Sequence, residues 1–252
     1  MANILVVYYS AFGHVYQMAQ AVADGAERAD GNAVRIVRIA EMESPLNRTI
    51  NLDRNKQEEE KVQPEQSEFE LKQDKTGQGE AERELSGRFR LRDRYSKYEA
   101  VLEQQREIPV ATNEDLRWAD GILWGFPTYY GMMPAQVKLF LEFAGELCID
   151  GALEGKPTGI FNSTASIHTG HEATILTSMV PLFHFGMIFV GLSYTENPEY
   201  LTADAIGCSP CGASTLAGPD SSLLPDKREL IMAARLGERV ANVAAALKQY
   251  KI

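Results

Sequence analysis

Apolar runs of strand length alternate with amphipathic helical segments along most of this chain, and this alternation restricts the fold more than any other feature. Residues 3–9, "NILVVYY", form one continuous apolar run, which is typical of a strand buried on both faces of a parallel sheet. Further strands are predicted at 33–39, 120–126, 157–163 and 187–193. Helical spacing predicts helices at 15–28, from Pro134 onward, at about 172–185 and at about 225–249.

The order of these elements indicates the class of fold. Each strand–helix–strand unit implies a right-handed crossover, and a series of crossovers builds a parallel sheet with helices on both faces. The sequence therefore predicts an α/β fold, a flavodoxin-like, doubly wound, five-stranded parallel sheet in the order 2-1-3-4-5. Ligands of such a sheet bind at the carboxyl ends of its strands. Residues 1–252 are assigned to this single domain, and the Gly-, Pro- and Ser-rich stretch 194–222 is predicted to be a loop.

Charge and composition argue against several classes of function. The chain has a formal net charge of −10, whereas nucleic-acid binding needs clustered Lys and Arg. No apolar run approaches the roughly 20 residues that span a bilayer. The start, "MANILVVYYS", lacks the basic region of a signal peptide. Cysteines are few and odd in number, which suits a reducing compartment and predicts a cytoplasmic protein; they are Cys148, Cys208 and Cys211.

A charged segment interrupts the pattern between the second and third predicted strands. Residues 53–108 contain 12 Lys or Arg and 15 Asp or Glu, so 27 of these 56 residues are charged, against 24% of the whole chain. We assign 43–108 as an insertion, which is either solvated or partly disordered, or an element for assembly or contact with a partner. Within it "EFELK" (68–72) and "RFRLR" (88–92) could pair as a hairpin. The spacing of Tyr95, Tyr98, Val101 and Leu102 indicates a helix.

The turn after the first strand, Ser10 to Val15, is a candidate phosphate cradle. A P-loop would need a Gly-Lys-Ser/Thr ending, and a dinucleotide-binding turn would need three glycines, but this turn has no lysine and only Gly13. A flavodoxin-type cradle needs neither, because a hydroxyl, backbone N–H groups and the dipole of the next helix hold a monophosphate. Ser10 would supply the hydroxyl and residues 11–15 the N–H groups. An ordinary strand–turn–helix junction remains the alternative.

Two more loops follow predicted strands on the same edge of the sheet. In "GFPTYYGMMPAQ", Pro127 and Gly131 shape a turn, Thr128 offers a hydroxyl, and Tyr129 and Tyr130 offer flat aromatic faces. The next loop, in "FNSTASIHTGHEAT", is dense in small hydroxyl residues. Three such loops on one edge suit a planar, polar ligand with a phosphate group, and FMN fits this description.

These motifs together resemble the WrbA family of flavodoxin-like NAD(P)H:quinone oxidoreductases. The matching stretches are "ILVVYYSAFGHV", "PVATNEDLRWADGILWGFPTYYGMMPAQVKLFLE", "GALEGKPTGIFNSTASIHTGHEATI", "HFGMIFVGL" and "GCSPCGASTLAGPDSS". They extend over nearly the whole chain apart from the charged segment.

The resemblance implies an FMN site built from the three loops. The first loop would bind the phosphate, the second would line the ring, and the third would hydrogen-bond the polar edge of the ring. The implied cofactor-binding residues are Ser10, Ala11, Phe12, Gly13, His14, Val15, Pro127, Thr128, Tyr129, Tyr130, Gly131, Ser163, Thr164, Ala165, Ser166, Ile167, His168 and His184.

Three residues are implied on the substrate side. His184, in "LFHFGM", resembles a family histidine near the flavin in the assembled oligomer. The proton for the hydroquinone could come from water or from His184, and His184 is therefore the candidate catalytic residue. Phe12 stands where the family usually has a tyrosine that helps stack the nicotinamide. Cys148 stands where some members have a tryptophan that walls the pocket. Phe12 and Cys148 are therefore expected to be substrate-binding, and they bear on nicotinamide preference and quinone range.

The resemblance also implies an activity and an assembly. The expected activity is FMN-dependent, two-electron reduction of quinones to hydroquinones by NADH or NADPH, through a ping-pong hydride transfer. The expected assembly is a homotetramer whose active sites form where subunits meet. Two alternatives come from the residues: a flavodoxin-like electron carrier that docks protein partners through its acidic surface, and a non-enzymatic assembly or regulatory protein that keeps the fold.

Other chemistry-bearing residues receive a structural interpretation. His168 and His171 are three residues apart and next to Glu172, but no further ligand set accompanies them, so no metal site is predicted. The pair Cys208 and Cys211, in "CSPC", has the spacing of a redox motif. It lies in a Gly/Pro loop rather than at a helix start, so we interpret it as a feature of that loop.

Overall fold

The structure, a computed structural model, describes residues 1–28, 31–42 and 91–250. The chain divides into two compact units, of which the first combines Met1–Ala40 with Leu91–Ile252. The second unit, Glu41–Arg90, falls almost wholly outside the described residues. The predicted hairpin lies there too, apart from its last two residues, which belong to a helix.

Strands and helices alternate through the first unit. The strands are β1 (Asn3–Tyr8), β2 (Ala33–Arg38), β3 (Gly121–Pro127), β4 (Pro157–Thr164), β5 (Ile188–Phe189) and β6 (Ala213–Leu216). The helices are α1 (His14–Glu27), α2 (Leu91–Gln104), α3 (Asn113–Trp118), α4 (Ala135–Phe143), α5 (Gly145–Ile149), α6 (His171–His184) and α7 (Lys227–Tyr250). None of the helices among the described residues is long and apolar enough to cross a bilayer.

The sheet is parallel, and the predicted order 2-1-3-4-5 is confirmed. A sixth strand, β6, also pairs with β4. The two partners share β4 lengthwise: β5 pairs with its first residues, at Pro157 and Thr158, and β6 with its last four, from Phe161 to Thr164. Two short strands therefore occupy the edge for which the sequence predicted one.

The fifth predicted strand, 187–193, is wrong in its second half. After Val190, whose N–H donates to the carbonyl of Thr158, the chain leaves β4, and the N–H of Leu192 donates to the carbonyl of Pro210 at 3.1 Å. Apolar burial continues along this stretch, but its backbone pairs with the returning chain instead of with β4. The predicted loop 194–222 is wrong in part, because it contains β6.

The apolar core lies on both faces of the sheet, as expected for a buried parallel sheet. Along β1, Ile4, Val6 and Tyr8 pack in the cluster that includes α1 and α7. The alternate residues of β1, Leu5 and Val7, pack in the cluster on the other face. Since both faces are apolar, the sequence of this strand shows no alternation.

Helices α1 and α7 touch through their backbones. A Cβ added at Gly237 would lie 1.9 Å from the carbonyl oxygen of Val22, and one added at Gly25 would lie 1.8 Å from that of Ala234. Only glycine permits this approach, which fixes α1 and hence its amino-terminal end, at the edge where the strands terminate.

The helix predicted inside the charged segment is confirmed as α2. Its Val101 is buried, and Tyr98 packs against the core cluster on one face of the sheet. The part of the assigned insertion (43–108) from residue 91 onward thus belongs to the same compact unit as the sheet. Residues 43–90 lie outside the described residues, so the insertion boundaries stay a prediction.

Candidate functional site

A pocket of about 110 Å³ lies at the carboxyl ends of β1, β3, β4 and β6. This is the edge at which doubly wound sheets bind their ligands. The pocket is lined by Ser10, Ala11, Phe12, His14, Val15, Pro127, Thr128, Tyr129, Ser163, Thr164, Ala165, Ala217, Gly218, Pro219 and Ser221. The structure thus brings together residues from all three predicted loops and adds a fourth loop.

The hydroxyl of Ser10 closes the first loop. Its oxygen accepts hydrogen bonds from the N–H groups of Gly13 and Tyr16, each at 3.2 Å. Gly13 has φ 89° and ψ −20°, a left-handed conformation that turns the chain from β1 into α1. Because the Ser10 oxygen accepts two hydrogen bonds, its own O–H proton remains available as a donor. The N–H of Gly13 is occupied inside the turn, so only part of the expected set of N–H groups is available to a ligand.

Three other backbone N–H groups of this loop have no partner in the described part of the chain: those of Ala11, His14 and Val15. Ala11 precedes α1, and His14 and Val15 are its first two residues, where the helix dipole is positive. The first turn of α1 contains no acidic residue. Unpaired donors at a helix start, beside a pocket, are the features that bind a phosphate group without a cation.

The ring of His14 is buried and is bonded to the backbone near residue 223, so it is not one of these donors. Its Nε2 lies 2.8 Å from the carbonyl oxygen of Leu223, and because a carbonyl only accepts, Nε2 carries the proton. Burial lowers the pKa of His14, an effect that the Leu223 carbonyl opposes and the charge of Lys97 reinforces. The neutral ring therefore serves as a link to residue 223, and His14 offers the pocket its backbone N–H.

The second loop is a tight turn. Tyr129 and Met132 exchange backbone hydrogen bonds of 3.0 and 3.1 Å, and Tyr130 and Gly131 both have positive φ, at 54° and 77°. Tyr129 lines the pocket, whereas the side chain of Tyr130 is fully exposed outside it. Thr128 was expected to present its hydroxyl to the ligand, but that hydroxyl bonds the hydroxyl of Thr174 on α6.

The third loop contributes its first residues only. Ser163, Thr164 and Ala165 line the pocket. Beyond them the chain folds on itself, because the N–H of Ser166 donates to the hydroxyl of Thr169 at 2.9 Å, and the hydroxyls of Thr164 and Thr169 bond each other. Ser166, Ile167 and His168, also predicted to contact the cofactor, lie outside the pocket lining.

A fourth loop, which sequence reasoning missed, follows β6. It contributes Ala217, Gly218, Pro219 and Ser221 to the pocket. The N–H of Leu223 donates to the carbonyl of Ala217 at 3.0 Å, which closes the loop. The available signal was the short stretch "ASTL" directly before "AGPDSS", a strand followed by turn residues.

Glu229, buried near the start of α7, fixes this fourth loop. Its carboxylate accepts from the hydroxyl of Thr215 at 2.6 Å and from the N–H groups of Gly207, Leu216 and Asp226 at 2.8, 3.2 and 2.9 Å. A single carboxylate thus joins β6, the preceding chain and the start of α7. All four of its bonds come from donors, so it is satisfied without a cation.

His184 and Cys148 lie away from the pocket. His184 is the last residue of α6, whose first residue, His171, is near the loops, and a helix of 14 residues is about 20 Å long. The thiol of Cys148 donates to the backbone carbonyl of His184 at 3.3 Å, and both side chains are exposed. The structure does not bring these residues together with Phe12, which does line the pocket.

The remaining candidates are the cysteine pair and the possible metal ligands. Burial raises the pKa of the Cys208 thiol, which donates to the carbonyl of Ser214 and accepts from its N–H. A thiol of raised pKa is a poor nucleophile. Within residues 1–28, 31–42 and 91–250, no group of three or more His, Cys, Asp or Glu side chains is arranged to hold a metal ion.

Comparison with known proteins gives consistent results. The family model for NADPH-dependent FMN reductase matches residues 85–197. A protein from Aromatoleum aromaticum named NAD(P)H dehydrogenase (quinone) is 34% identical over 97% of this chain and 97% of its own. One of the same name from Trichlorobacter lovleyi is 36% identical over 98% of this chain and 99% of its own. A flavodoxin, WrbA-like protein from Agrobacterium tumefaciens, at 19% identity, superimposes with a TM-score of 0.55 over 98% of this chain and 99% of its own.

Proposed function

We propose a function for this chain from the premise that it belongs to the NAD(P)H dehydrogenase (quinone) family of FMN-dependent flavoproteins. It is an FMN-dependent oxidoreductase that reduces quinones with NADH or NADPH. The main support for this proposal is the pocket at the strand ends, where three backbone N–H groups in and before the first turn of α1 have no partner among the described residues. A phosphate-bearing cofactor fits such a set of donors.

The residues of the pocket have separable tasks in this proposal. FMN, when bound, supplies the redox chemistry between NAD(P)H and the quinone. The N–H groups of Ala11, His14 and Val15 and the hydroxyl of Ser10 hold the phosphate. The loops at 127–129 and 163–165 hold the ring, and Phe12 is the aromatic group beside which nicotinamide and quinone bind in turn.

We also propose a homotetramer, in which a neighbouring subunit brings His184 and Cys148 to the pocket. The support is an apolar stripe on α6: Leu176, Val180 and Phe183 follow helical spacing and are 52%, 56% and 53% exposed. Exposed apolar side chains grouped on one helix face are typical of an interface. His184, at the end of this stripe, would then reach a substrate as a proton donor.

The assembly has its own test, which is light scattering of the unaltered chain and of Val180→Glu. We expect a tetramer for the first and a smaller species, with lower quinone reductase activity, for the second. A monomer in the unaltered chain would contradict the proposal. We further propose a cytoplasmic location, which the three unpaired cysteines support, since a reducing compartment keeps thiols free.

The activity is tested by steady-state oxidation of NADH and NADPH with benzoquinone after addition of FMN. We expect saturable oxidation of at least one nicotinamide. Ser10→Val, which removes the hydroxyl from the cradle, should weaken FMN binding measured by fluorescence. Thr202→Val, a matched change on an exposed loop outside the pocket, should not. FMN binding without oxidation of either nicotinamide would favour an electron carrier and contradict the proposed enzyme.

A further inference from the structure

One face of α2 continues past its last residue and contacts the phosphate cradle. Lys97, Val101 and Gln105 are spaced four residues apart, so they lie along the same side of this helical stretch. A Cβ added at Gly13 would lie 3.4 Å from Cγ2 of Val101, which shows how closely this face approaches the turn. The charged segment thus reaches the cofactor site through three of its own residues.

Gln105 controls the direction of a peptide group in the cradle. Its side chain is only 3% exposed, and its Nε2 donates to the carbonyl oxygen of Ser10 at 3.2 Å and to that of Val101 at 3.0 Å. In a planar trans peptide, the carbonyl of Ser10 and the N–H of Ala11 point in opposite directions. Gln105 does not line the pocket, so a carbonyl bonded to it turns toward Gln105 and leaves the N–H of Ala11 on the opposite side.

Lys97 contacts the loop on the other side of the pocket. Its Nζ donates to the backbone carbonyl of Asp220 at 3.1 Å, between the pocket-lining residues Pro219 and Ser221. Its charge also acts on the ring of His14 in the cradle. A carbonyl uses only one of the three ammonium protons, so Lys97 retains donors near the start of α1.

We propose that Gln105 is a positioning residue for the flavin phosphate and that Lys97 is the cation that completes its binding site. This inference rests on the proposed function, because it names residues of the same cofactor site. It assigns to the charged segment a task in selecting a phosphorylated flavin. FMN should therefore be favoured over riboflavin partly through α2, even though the cradle itself contains no lysine.

The test compares the dissociation constants of FMN and riboflavin, measured by fluorescence titration, in three variants of the full chain. Gln105→Met keeps the length of the side chain but cannot donate to the Ser10 carbonyl. Lys97→Gln removes the charge, and Lys97→Arg preserves it. Arg106→Gln is the matched control, since it removes one exposed positive charge, paired with Glu103, from the same segment.

We expect Lys97→Gln to weaken FMN about 3- to 10-fold at low salt, with the difference shrinking as salt screens the charge. Gln105→Met should weaken FMN about 5- to 10-fold at every salt concentration, because its effect is geometric. Riboflavin affinity should change less than about twofold in both, and Lys97→Arg should bind FMN as the unaltered chain does. Arg106→Gln should leave FMN affinity within about twofold.

Three results would overturn the proposal. The first is equal loss of FMN and riboflavin affinity, which would indicate general packing by α2. The second is unchanged FMN affinity in both Lys97→Gln and Gln105→Met. The third is an equal effect of Arg106→Gln and Lys97→Gln, which would indicate net charge alone. Failure of the proposed function is a different outcome, because the unaltered chain would then not bind FMN. If Gln105→Met failed to fold, Gln105→Leu, which also cannot donate to the Ser10 carbonyl, would take its place in the same comparison.

Discussion

Gly13 offers a measurable link between the backbone of the cradle and flavin binding. Its φ of 89° and ψ of −20° match the position in a type II turn that glycine normally fills. Gly13→Ala places a side chain in this conformation at a cost of about 1–2 kcal/mol. The added Cβ would meet Val101 at 3.4 Å, an ordinary contact, so the cost comes from backbone strain and not from a clash.

In the FMN-bound protein, the strain at residue 13 must lower either the stability of the fold or the affinity for FMN. If the turn keeps its shape without flavin, stability falls by about 1–2 kcal/mol, which lowers Tm by about 2–8 °C in a chain of this size. If the turn relaxes, the strain returns on binding, and the dissociation constant of FMN rises roughly 5- to 30-fold. The sum of the two losses should equal about 1–2 kcal/mol.

The assay combines thermal unfolding with fluorescence titration of FMN. Gly13→Asn is the matched control, because asparagine tolerates positive φ better than alanine and should lose less in the same two measurements. The reasoning would be refuted if Gly13→Ala changed neither Tm nor FMN affinity. It would also be refuted if Val101→Ala restored the double variant, because relief by a smaller neighbour would mean that contact, and not φ, is the cause.

Three further predictions concern stability. Burial lowers the pKa of His14 in the folded chain, so this residue costs no stability above its unfolded pKa near 6.5. Below that pH the free energy of unfolding should fall by at most about 1.4 kcal/mol per pH unit. His14→Gln should flatten this slope in denaturant unfolding, and an unchanged slope would contradict the prediction. Glu229→Gln leaves buried donors unpaired and should lower the free energy of unfolding by about 2–4 kcal/mol. An unchanged free energy of unfolding would mean that water can replace these bonds. Gly237→Ala should cost about 3 kcal/mol by forcing α1 and α7 apart, and a Tm equal to that of the unaltered chain would disprove the backbone contact.

The order of the sheet was predictable because the strands are buried on both faces. Runs such as residues 3–9 leave few alternatives, and right-handed crossovers then determine the neighbours. The three loops of the pocket were predictable for a related reason, since carboxyl ends of parallel strands meet at one edge. Ser10, Thr128 and Ser163 could thus be grouped from sequence alone, and all three line the pocket.

What could not be predicted depends on contacts between distant residues. Strand β6 is short and its centre, Ser214 and Thr215, is polar, because those side chains bond His171 and Glu229 instead of packing in an apolar core. No apolar periodicity could reveal such a strand. The direction of the Thr128 hydroxyl, taken up by Thr174, is likewise decided by the position of α6.

Composition was a poor guide to the end of the charged segment from residue 91 onward, which is the part that the structure describes. The fraction of charged residues, averaged over 56 positions, describes how well water solvates the segment as a whole. The contact with the cradle depends instead on one face of one helix. Gln105 is buried among charged neighbours and pairs with Ser10, 95 positions earlier in the chain. The apolar and amide residues at 98, 101 and 105 recur at helical spacing, which was the available signal that this end of the segment packs.

The divided edge strand accounts for the fourth loop of the pocket. If β5 had continued along β4, as predicted, one strand end would have occupied this edge. Instead, the chain leaves after Val190 and returns as β6, which pairs with the last residues of β4, next to the pocket. The return brings Gly218 and Ser221 to the pocket, while Glu229 fixes the strand that precedes them. His14 and Lys97 then bond the backbone of this loop from two different helices, so the loop, the cradle and α2 hold one another in place. A change at any one of the three should therefore alter FMN binding through the other two.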